Sequence, residues 1–278
     1  AIIGDGSLTG GMALEAMNHI GHLDHDLIII LNDNEHSISK NVGGISEYLT
    51  RIMTSTFYNK IRSRSMNLVQ RIPNIGRTIS NFLLRIFGSV RGILVPGQFF
   101  QDMGLRYFGP IDGNNIEVLI DLLENVKNMN SGPKIIHMMT KKGKGYKPAE
   151  QHPSKFHGTG PFNKTTGNTP AKTGMSYSEI AGKTLAHISK TDTDIVAITA
   201  AMGLGTGLAE FEKESPDRFF DVGIAEQHAI TFAGALASGG SKPFVSIYST
   251  FLQRAIDQLI HDIAIMNLPI KLLIDRSG

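Results

Sequence analysis

Two short polar motifs near the start of the chain carry the residue types of a metal–phosphate site. The sequence GDG at 4–6 follows an apolar stretch, and NDN at 32–34 follows an Ile-rich run. Glycine lets the backbone approach a ligand closely, helix N-termini bind phosphate, and Mg²⁺ joins carboxylates to substrate phosphates. If both motifs end parallel strands, Asp5 and Asn34 meet at one edge of the sheet. The motifs predict a shared Mg²⁺ there, with a backbone carbonyl of the following turn as a third ligand.

The rest of the chain alternates between strand and helix patterns. At 13–20 apolar residues recur at the spacing of a helix face, and Gly21 predicts the end of that helix. Further helices are predicted at 116–123, 177–189, 225–237 and 253–266. Short apolar runs predict strands at 27–31, 134–139, 194–199, 219–222, 244–248 and 270–275. This alternation predicts an α/β fold with mainly parallel sheets covered on both faces.

Changes in composition divide the chain. Residues 151–176 are rich in Gly, Pro, Thr, Asn and Lys, which is typical of a linker, so we expect α/β domains at 1–150 and 177–278. The segment 48–101 contains eight Lys or Arg and no Asp or Glu. We expect amphipathic helices there. They form either a mobile excursion with a solvated basic face or a patch that attracts a phosphorylated ligand or a membrane surface.

Composition and charge argue against several classes of protein. A net charge of +2 argues against a dedicated nucleic-acid binder. The absence of Cys excludes disulfides, thiolate metal sites and Cys nucleophiles. No apolar run approaches the roughly 18 residues of a membrane-spanning helix. The opening AIIGDGSLTGG has no Met and no charged leader segment, so we expect the chain to be a piece of a longer protein.

Distant motifs occur here in the order of one known family. Asn34 follows the GDG motif after 27 residues, within LNDNEHSIS (31–39). KKGKGY (141–146), IAEQHA (224–229) and YSTFLQRAIDQ (248–258) follow it. With these motifs the chain resembles the 1-deoxy-D-xylulose-5-phosphate synthases, which are transketolase-like enzymes that depend on thiamine diphosphate and Mg²⁺.

The resemblance implies a domain order. A diphosphate-binding domain, here without its beginning, precedes a pyrimidine-binding domain that stops at 275–278, before the family's third domain. Both domains are then incomplete, and we do not expect this polypeptide to turn over alone. The resemblance also makes 48–96 a long insertion near the site. We expect that segment to be a mobile lid and not a membrane anchor.

The resemblance implies roles for residues of the metal and diphosphate end. Asp5, the Asn34 side chain and the backbone carbonyl of His36 would hold Mg²⁺. Gly6 and Ser7 would contact the diphosphate through backbone N–H groups, and Asn34 would also contact the cofactor. The simplest alternative for the GDG motif alone is a Gly-rich turn with an Asp cap.

The later motifs supply the remaining implied roles. Tyr146 would lie beside the cofactor, Glu226 would hydrogen-bond N1′ of the aminopyrimidine, and Phe251 would stack on the pyrimidine ring. A second group would act on the substrates: Tyr248 and Arg254 on the acceptor phosphate, and His157 as an acid–base group. Five of these residues have a structural alternative: a helix-start carboxylate for Glu226, a surface turn for Tyr146, an apolar core for Phe251, a solvated helix for Arg254 and an exposed linker for His157.

The implied reaction joins pyruvate to D-glyceraldehyde 3-phosphate, with release of CO₂, and forms 1-deoxy-D-xylulose 5-phosphate. That product supplies isoprenoid, thiamine and pyridoxal synthesis. The resemblance further implies a homodimer, no nucleic-acid or membrane partner, and a bacterial cytoplasm or a plastid stroma. Two alternatives remain. A transketolase or 2-oxo-acid dehydrogenase E1 component would use the same cofactor. A noncatalytic anion-binding module would be built on the GDG turn and the basic segment, would be indifferent to Glu226, and would leave the order of the motifs unexplained.

Overall fold

The computed structural model describes residues 1–34, 41–54, 97–129, 132–170 and 174–277. They form two compact units, and each is composed of several segments of the chain. The first unit comprises Ala1–Ile3, Glu15–Asp33 and Glu47–Thr140, and the second comprises Gly4–Leu14, Asn34–Ser46 and Lys141–Gly278. The domain boundaries expected from composition stay a prediction. The predicted lid lies outside the described residues from position 55 onward, and so does His36.

The first unit is built on a four-stranded sheet of order β1-β2-β4-β3. Its strands are β1 (Ile2–Gly4), β2 (Ile28–Asp33), β3 (Arg106–Asp112) and β4 (Lys134–Met139). Strand β4 runs parallel to both β2 and β3. Ala1 donates to the carbonyl of Ile28 and accepts from the N–H of Ile30, which is the pattern of a parallel pair. The helices in this part of the chain are Gly11–Leu23, Gly44–Thr54, Gln98–Asp102 and Ile116–Lys127.

The second unit is built on a parallel sheet of order β6-β5-β7-β8. Its strands are β5 (Ile195–Thr199), β6 (Phe219–Asp221), β7 (Lys242–Tyr248) and β8 (Lys271–Asp275). The α-helices are Lys147–Gln151, Tyr177–Ile188, Ala209–Glu214, Glu226–Ser238, Ser249–Leu252 and Ile256–Gln258. Single turns of 3₁₀-helix lie at Asp5–Thr9, Pro216–Arg218 and Gln253–Ala255, and a π-helical segment lies at Leu259–Ala264.

The core of the second unit explains why these segments take these forms. Every residue of β5 is buried, as expected for the apolar run of a strand covered on both faces. The helix Glu226–Ser238 lays Ala229, Ile230 and Ala233 against this sheet. The helix Tyr177–Ile188 begins with a capping box, in which Ser176 and Glu179 satisfy each other's backbone N–H groups. The α/β prediction with parallel sheets is confirmed.

Two predicted helix bounds were wrong. Gly21 does not end the first helix, which continues to Leu23. Glycine is required there for another reason: a Cβ at Gly21 would lie 1.9 Å from the carbonyl oxygen of Met103. The predicted helix at 253–266 is interrupted by 3₁₀ and π turns. The wider π turn places the buried Ile263 against Gly234. A Cβ at Gly234 would lie only 2.8 Å from Cδ1 of Ile263.

Within the described ranges, no helix combines the length and the apolar character that crossing a membrane requires.

Candidate active site

The GDG motif forms a tight turn directly after β1. Asp5 begins a 3₁₀ turn that ends at Thr9, and its carboxylate is only 6% exposed. The side-chain amide of Asn41 donates to Oδ2 of Asp5 at 2.7 Å. A carboxylate supplies the type of oxygen ligand that Mg²⁺ prefers. Here the carboxylate is nearly buried and is oriented by the Asn41 amide.

Asn34 directly follows β2, the strand that lies beside β1. Because β1 and β2 are parallel, Asp5 and Asn34 follow strands that end at the same edge, as the motif spacing predicts. Asp33 is buried and lies 2.9 Å from Nε2 of His137, whose Nδ1 lies 2.8 Å from the hydroxyl of Tyr107. This chain of hydrogen bonds positions the backbone immediately before Asn34.

The residues expected at the metal end are compatible with Mg²⁺ by their chemistry, since a carboxylate and an amide both offer oxygen ligands. Across the residues that the structure describes, no group of three His, Cys, Asp or Glu side chains is arranged to hold a metal ion. The expected ligands, which are one carboxylate, one amide oxygen and one backbone carbonyl, would leave open positions for diphosphate oxygens and water, and Mg²⁺ is usually bound in this way. The third proposed ligand, the carbonyl of His36, lies outside the described residues.

Lys142, to which sequence patterns assign no role, is paired with His157. Its Nζ donates to Nδ1 of His157 at 2.7 Å, which requires a neutral imidazole with its proton on Nε2. Burial lowers the pKa of Lys142, and the charge of Asp5 opposes that effect. Partial desolvation and then the Lys142 cation lower the pKa of His157. The KKGKGY motif marks Lys142 as a candidate, but the motif does not reveal its partner, because His157 lies 15 residues further along the chain.

Replacing Lys142 by methionine is expected to raise the pKa of His157. The substitution removes the neighbouring cation but leaves the larger desolvation effect, so the pKa should stay below the ordinary 6.5. Proton NMR titration of the His157 ring measures this directly. Lys144→Met is the matched control, because Lys144 is an exposed lysine of the same motif. An unchanged His157 pKa in Lys142→Met would contradict the observed pair.

Tyr146 anchors the polar segment that follows the KKGKGY motif. Its hydroxyl donates to the carbonyl of Lys164 at 2.9 Å. Its ring lies 5.6 Å from that of Phe156 and 5.9 Å from that of Phe162. The expected linker is therefore locally folded around three aromatic rings here, and this cluster carries His157 next to Phe156.

Glu226 is the first residue of the helix Glu226–Ser238 and is 2% exposed. Arg254 donates through Nη1 to Oε2 of Glu226 at 2.5 Å. The start of a helix also favours a carboxylate, through its dipole. The guanidinium of Arg254 also lies close to Gly10, since a Cβ at Gly10 would be 3.4 Å from Nη2 of Arg254. The residue expected to bind a phosphate thus contacts the expected catalytic carboxylate.

Tyr248 and Phe251 lie together at the end of β7. Their rings are 5.8 Å apart and nearly parallel, at 23°. Tyr248 is 5% exposed, and burial raises the pKa of its hydroxyl. The guanidinium of Arg276 lies 4.0 Å from the centre of the Tyr248 ring. Phe251 is 37% exposed, so part of its ring remains available to a flat ligand.

Asp221 was also missed, although it stands five residues before Glu226. Its Oδ1 accepts from the N–H of Ala201 at 2.8 Å and from the N–H of Gly223 at 3.0 Å. Desolvation raises the pKa of this carboxyl group. Residues from four segments line a narrow slot around it: Gly6, Thr9, Asn41, Val42, Ala201, Gly223 and Ile224.

Replacing Asp221 by asparagine is expected to change how stability depends on pH. Because the pKa of Asp221 is raised in the folded chain, its favourable contribution is complete below the unfolded value of about 3.9 and is lost as pH rises through the folded value. Asparagine keeps the acceptor oxygen but does not titrate. The free energy of unfolding of Asp221→Asn, relative to wild type, should therefore rise over that interval.

Urea unfolding from about pH 4 to pH 8 measures this difference. The control is Asp217→Asn, because Asp217 is an exposed carboxylate of the same unit. A difference that stays constant with pH in Asp221→Asn would contradict the desolvated carboxylate.

Two protein-family models match the two halves of the chain. The family model described as 1-deoxy-D-xylulose-5-phosphate synthase matches residues 1–140. The model described as transketolase, pyrimidine binding domain, matches residues 173–278. The second match contains Glu226, Tyr248, Phe251 and Arg254, and the first contains Asp5 and Asn34.

Curated relatives match over the whole chain, and the following three are each named 1-deoxy-D-xylulose-5-phosphate synthase. The protein of Natranaerobius thermophilus is 53% identical, that of Caldanaerobacter subterraneus subsp. tengcongensis 54%, and that of Clostridium kluyveri 51%. Each alignment covers 100% of this chain and 44% of the relative. The chain therefore spans less than half the length of these relatives. With one family model covering half of its residues, the chain belongs to the 1-deoxy-D-xylulose-5-phosphate synthase family.

Proposed function

We propose that this chain carries the Mg²⁺–diphosphate site and the pyrimidine site of a thiamine-diphosphate enzyme. One observation supports this most directly. The GDG turn and the N-terminus of the Glu226 helix lie in one compact unit and are joined by a hydrogen bond from the N–H of Ile224 to Oγ1 of Thr9 at 3.0 Å. Two motifs separated by more than 200 residues are thus adjacent, as a cofactor that contacts both would require.

At the metal end, Asp5 and Asn34 would hold Mg²⁺ with the carbonyl of His36. The N–H groups of Gly6 and Ser7 would bind diphosphate oxygens, since they lie in the Asp5–Thr9 turn, where a bound Mg²⁺ would neutralise the Asp5 carboxylate. Near-burial of Asp5 strengthens its attraction for the cation, because the local dielectric is lower than in water.

At the pyrimidine end, Glu226 would hold and move a proton at N1′ of the aminopyrimidine. Its burial keeps this exchange away from bulk water, and Arg254 orients the carboxylate through one charged hydrogen bond. Phe251 would stack on the ring through its exposed part. When bound, thiamine diphosphate supplies the carbon nucleophile for a 2-oxo acid and accepts the electron pair released by decarboxylation.

The proposed reaction is condensation of pyruvate with D-glyceraldehyde 3-phosphate. Arg254 and Tyr248 would bind the phosphate of the acceptor, since guanidinium groups suit bidentate anion contacts. His157 would act as an acid–base group on the substrate: with Nδ1 bonded to Lys142 it carries its proton on Nε2, so it would give that proton first while Nδ1 takes one from Lys142. We further propose that the protein forms a homodimer, contributes to isoprenoid supply, and is located in a bacterial cytoplasm or a plastid stroma.

Calorimetric titration of the 278-residue chain with thiamine diphosphate, with and without Mg²⁺, tests the proposal. We expect binding that requires Mg²⁺ and that is tighter than the binding of Mg²⁺–pyrophosphate, because the thiamine half adds contacts at Glu226 and Phe251. Equal affinity for both ligands would instead favour a noncatalytic anion-binding module. A chain that is folded by circular dichroism and binds neither ligand would overturn the proposal for this polypeptide.

A further inference from the structure

The hydroxyl of Thr9 lies between the two halves of the candidate site. It donates to the carbonyl of Gly6 at 2.8 Å and accepts from the N–H of Ile224 at 3.0 Å. A hydroxyl has one donor hydrogen and two acceptor lone pairs, so both bonds form at once. Gly6 is the residue whose own N–H faces the diphosphate in the proposed function. Ile224 stands two residues before Glu226.

The segment before Glu226 is held from two sides. Asp221 accepts from the N–H of Gly223 on one side, and Thr9 accepts from the N–H of Ile224 on the other. Gly223 has a φ of +73°, and a Cβ at this position would lie 3.0 Å from Oγ1 of Thr9. The backbone therefore approaches Thr9 as closely as glycine allows. The Thr9 side chain thus links position 224 to Gly6.

We infer that Thr9 is a positioning residue that couples the diphosphate turn to the Glu226 helix. The inference rests on the proposed function, since it assigns Gly6 and Glu226 to opposite ends of one cofactor. Thr9 joins the two backbone segments that carry these ends. Its contribution to ligand affinity should therefore appear only for a ligand that occupies both ends, because a ligand of the diphosphate end alone gains nothing from the position of Glu226.

Thr9→Val tests this inference, since valine keeps the shape and removes the hydroxyl. The probes are thiamine diphosphate and pyrophosphate, each titrated with Mg²⁺ into the 278-residue chain. We expect Thr9→Val to weaken thiamine diphosphate about tenfold or more, as loss of partly buried hydrogen bonds does, and to change pyrophosphate affinity less than about twofold. Thr9→Ser, which restores the hydroxyl, should bind both probes within about twofold of wild type.

A matched control separates coupling from general stability. Thr206 is a buried threonine of the same unit, and its hydroxyl donates to the carbonyl of Met202 at 2.9 Å. Thr206→Val removes a comparable hydrogen bond outside the candidate site, so it should lower the melting temperature without changing the ratio of the two affinities. Equal weakening of both probes in Thr9→Val would overturn the inference and leave Thr9 as a turn residue only.

Hydrogen exchange at the Ile224 amide gives a readout that needs no cofactor. The amide should be protected in the wild-type chain and in Thr9→Ser, and it should exchange about tenfold faster in Thr9→Val. Exchange of Ile224 at the rate of an exposed amide in the wild-type chain would overturn the inference without any variant. A wild-type chain that binds neither probe overturns the proposed function, and the inference with it. Binding of both probes unchanged by Thr9→Val overturns the inference alone.

Discussion

Glu226→Gln is expected to slow proton exchange at C2 of bound thiamine diphosphate by about 10²–10⁴-fold, the usual contribution of a general acid–base group. Glutamine keeps the size of the side chain and can still accept a hydrogen bond from Arg254, but it can neither give a proton to N1′ nor take it back. Cofactor affinity should therefore change far less than the exchange rate.

The measurement is NMR-detected exchange of the C2 proton in deuterated buffer with the 278-residue chain, Mg²⁺ and cofactor. It requires neither pyruvate nor the acceptor, so it does not depend on parts of the longer relatives. Glu210→Gln is the matched control, because Glu210 is exposed and lies on another helix of the same unit. Exchange at the wild-type rate in Glu226→Gln would remove Glu226 from the catalytic role and would favour the anion-binding alternative.

Asp5→Asn is expected to weaken Mg²⁺-dependent binding of thiamine diphosphate on the order of 100-fold or more, since even supporting residues of metal sites contribute about 10–100-fold. Asparagine keeps the shape of the turn and a partner for Asn41, but it removes the negative charge that faces the cation. The loss should be the same for Mg²⁺–pyrophosphate, because both ligands reach Mg²⁺ through their phosphate oxygens.

Isothermal titration at several Mg²⁺ concentrations measures the effect on both affinity and metal dependence. Asp217→Asn serves as control, since it removes a carboxylate from the surface of the same unit. Retained Mg²⁺ dependence in Asp5→Asn would show that the cation is held elsewhere. Together with Glu226→Gln, the variant separates the metal end from the pyrimidine end. Asp5→Asn should lower the affinity for every phosphate ligand, whereas Glu226→Gln should mainly slow proton exchange at C2.

Strands of the two sheets were predictable because their apolar runs are short and bounded by polar residues. The strand at 134–139 was predicted with its observed bounds, and β5, β6 and β8 were predicted within one residue at each end. Strand β3 was not predicted, because Gly109 and Pro110 interrupt its pattern. Proline is tolerated there since β3 is an edge strand, and a register shift between Phe108 and Ile111 accommodates the irregularity.

Glycines illustrate why a local pattern is ambiguous. A glycine near the end of a helical pattern indicates a C-cap, and Gly21 matches that pattern. The structure shows instead a close approach to the backbone of Met103, which no window of neighbouring residues contains. Gly223 is a second example. It has a positive φ and lies against Thr9, which is more than 200 residues away in the sequence.

The sequence by itself determined the α/β class, the strand and helix alternation, and the order of motifs that assigns the family, because these depend on local periodicity and residue type. Only the tertiary structure decided the pairings within the candidate site: Lys142 with His157, Arg254 with Glu226, Asp221 with Gly223, and Thr9 with Ile224. Hydrogen bonds between distant segments depend on how the strands and helices are placed in space, and side-chain type alone does not select one partner among many.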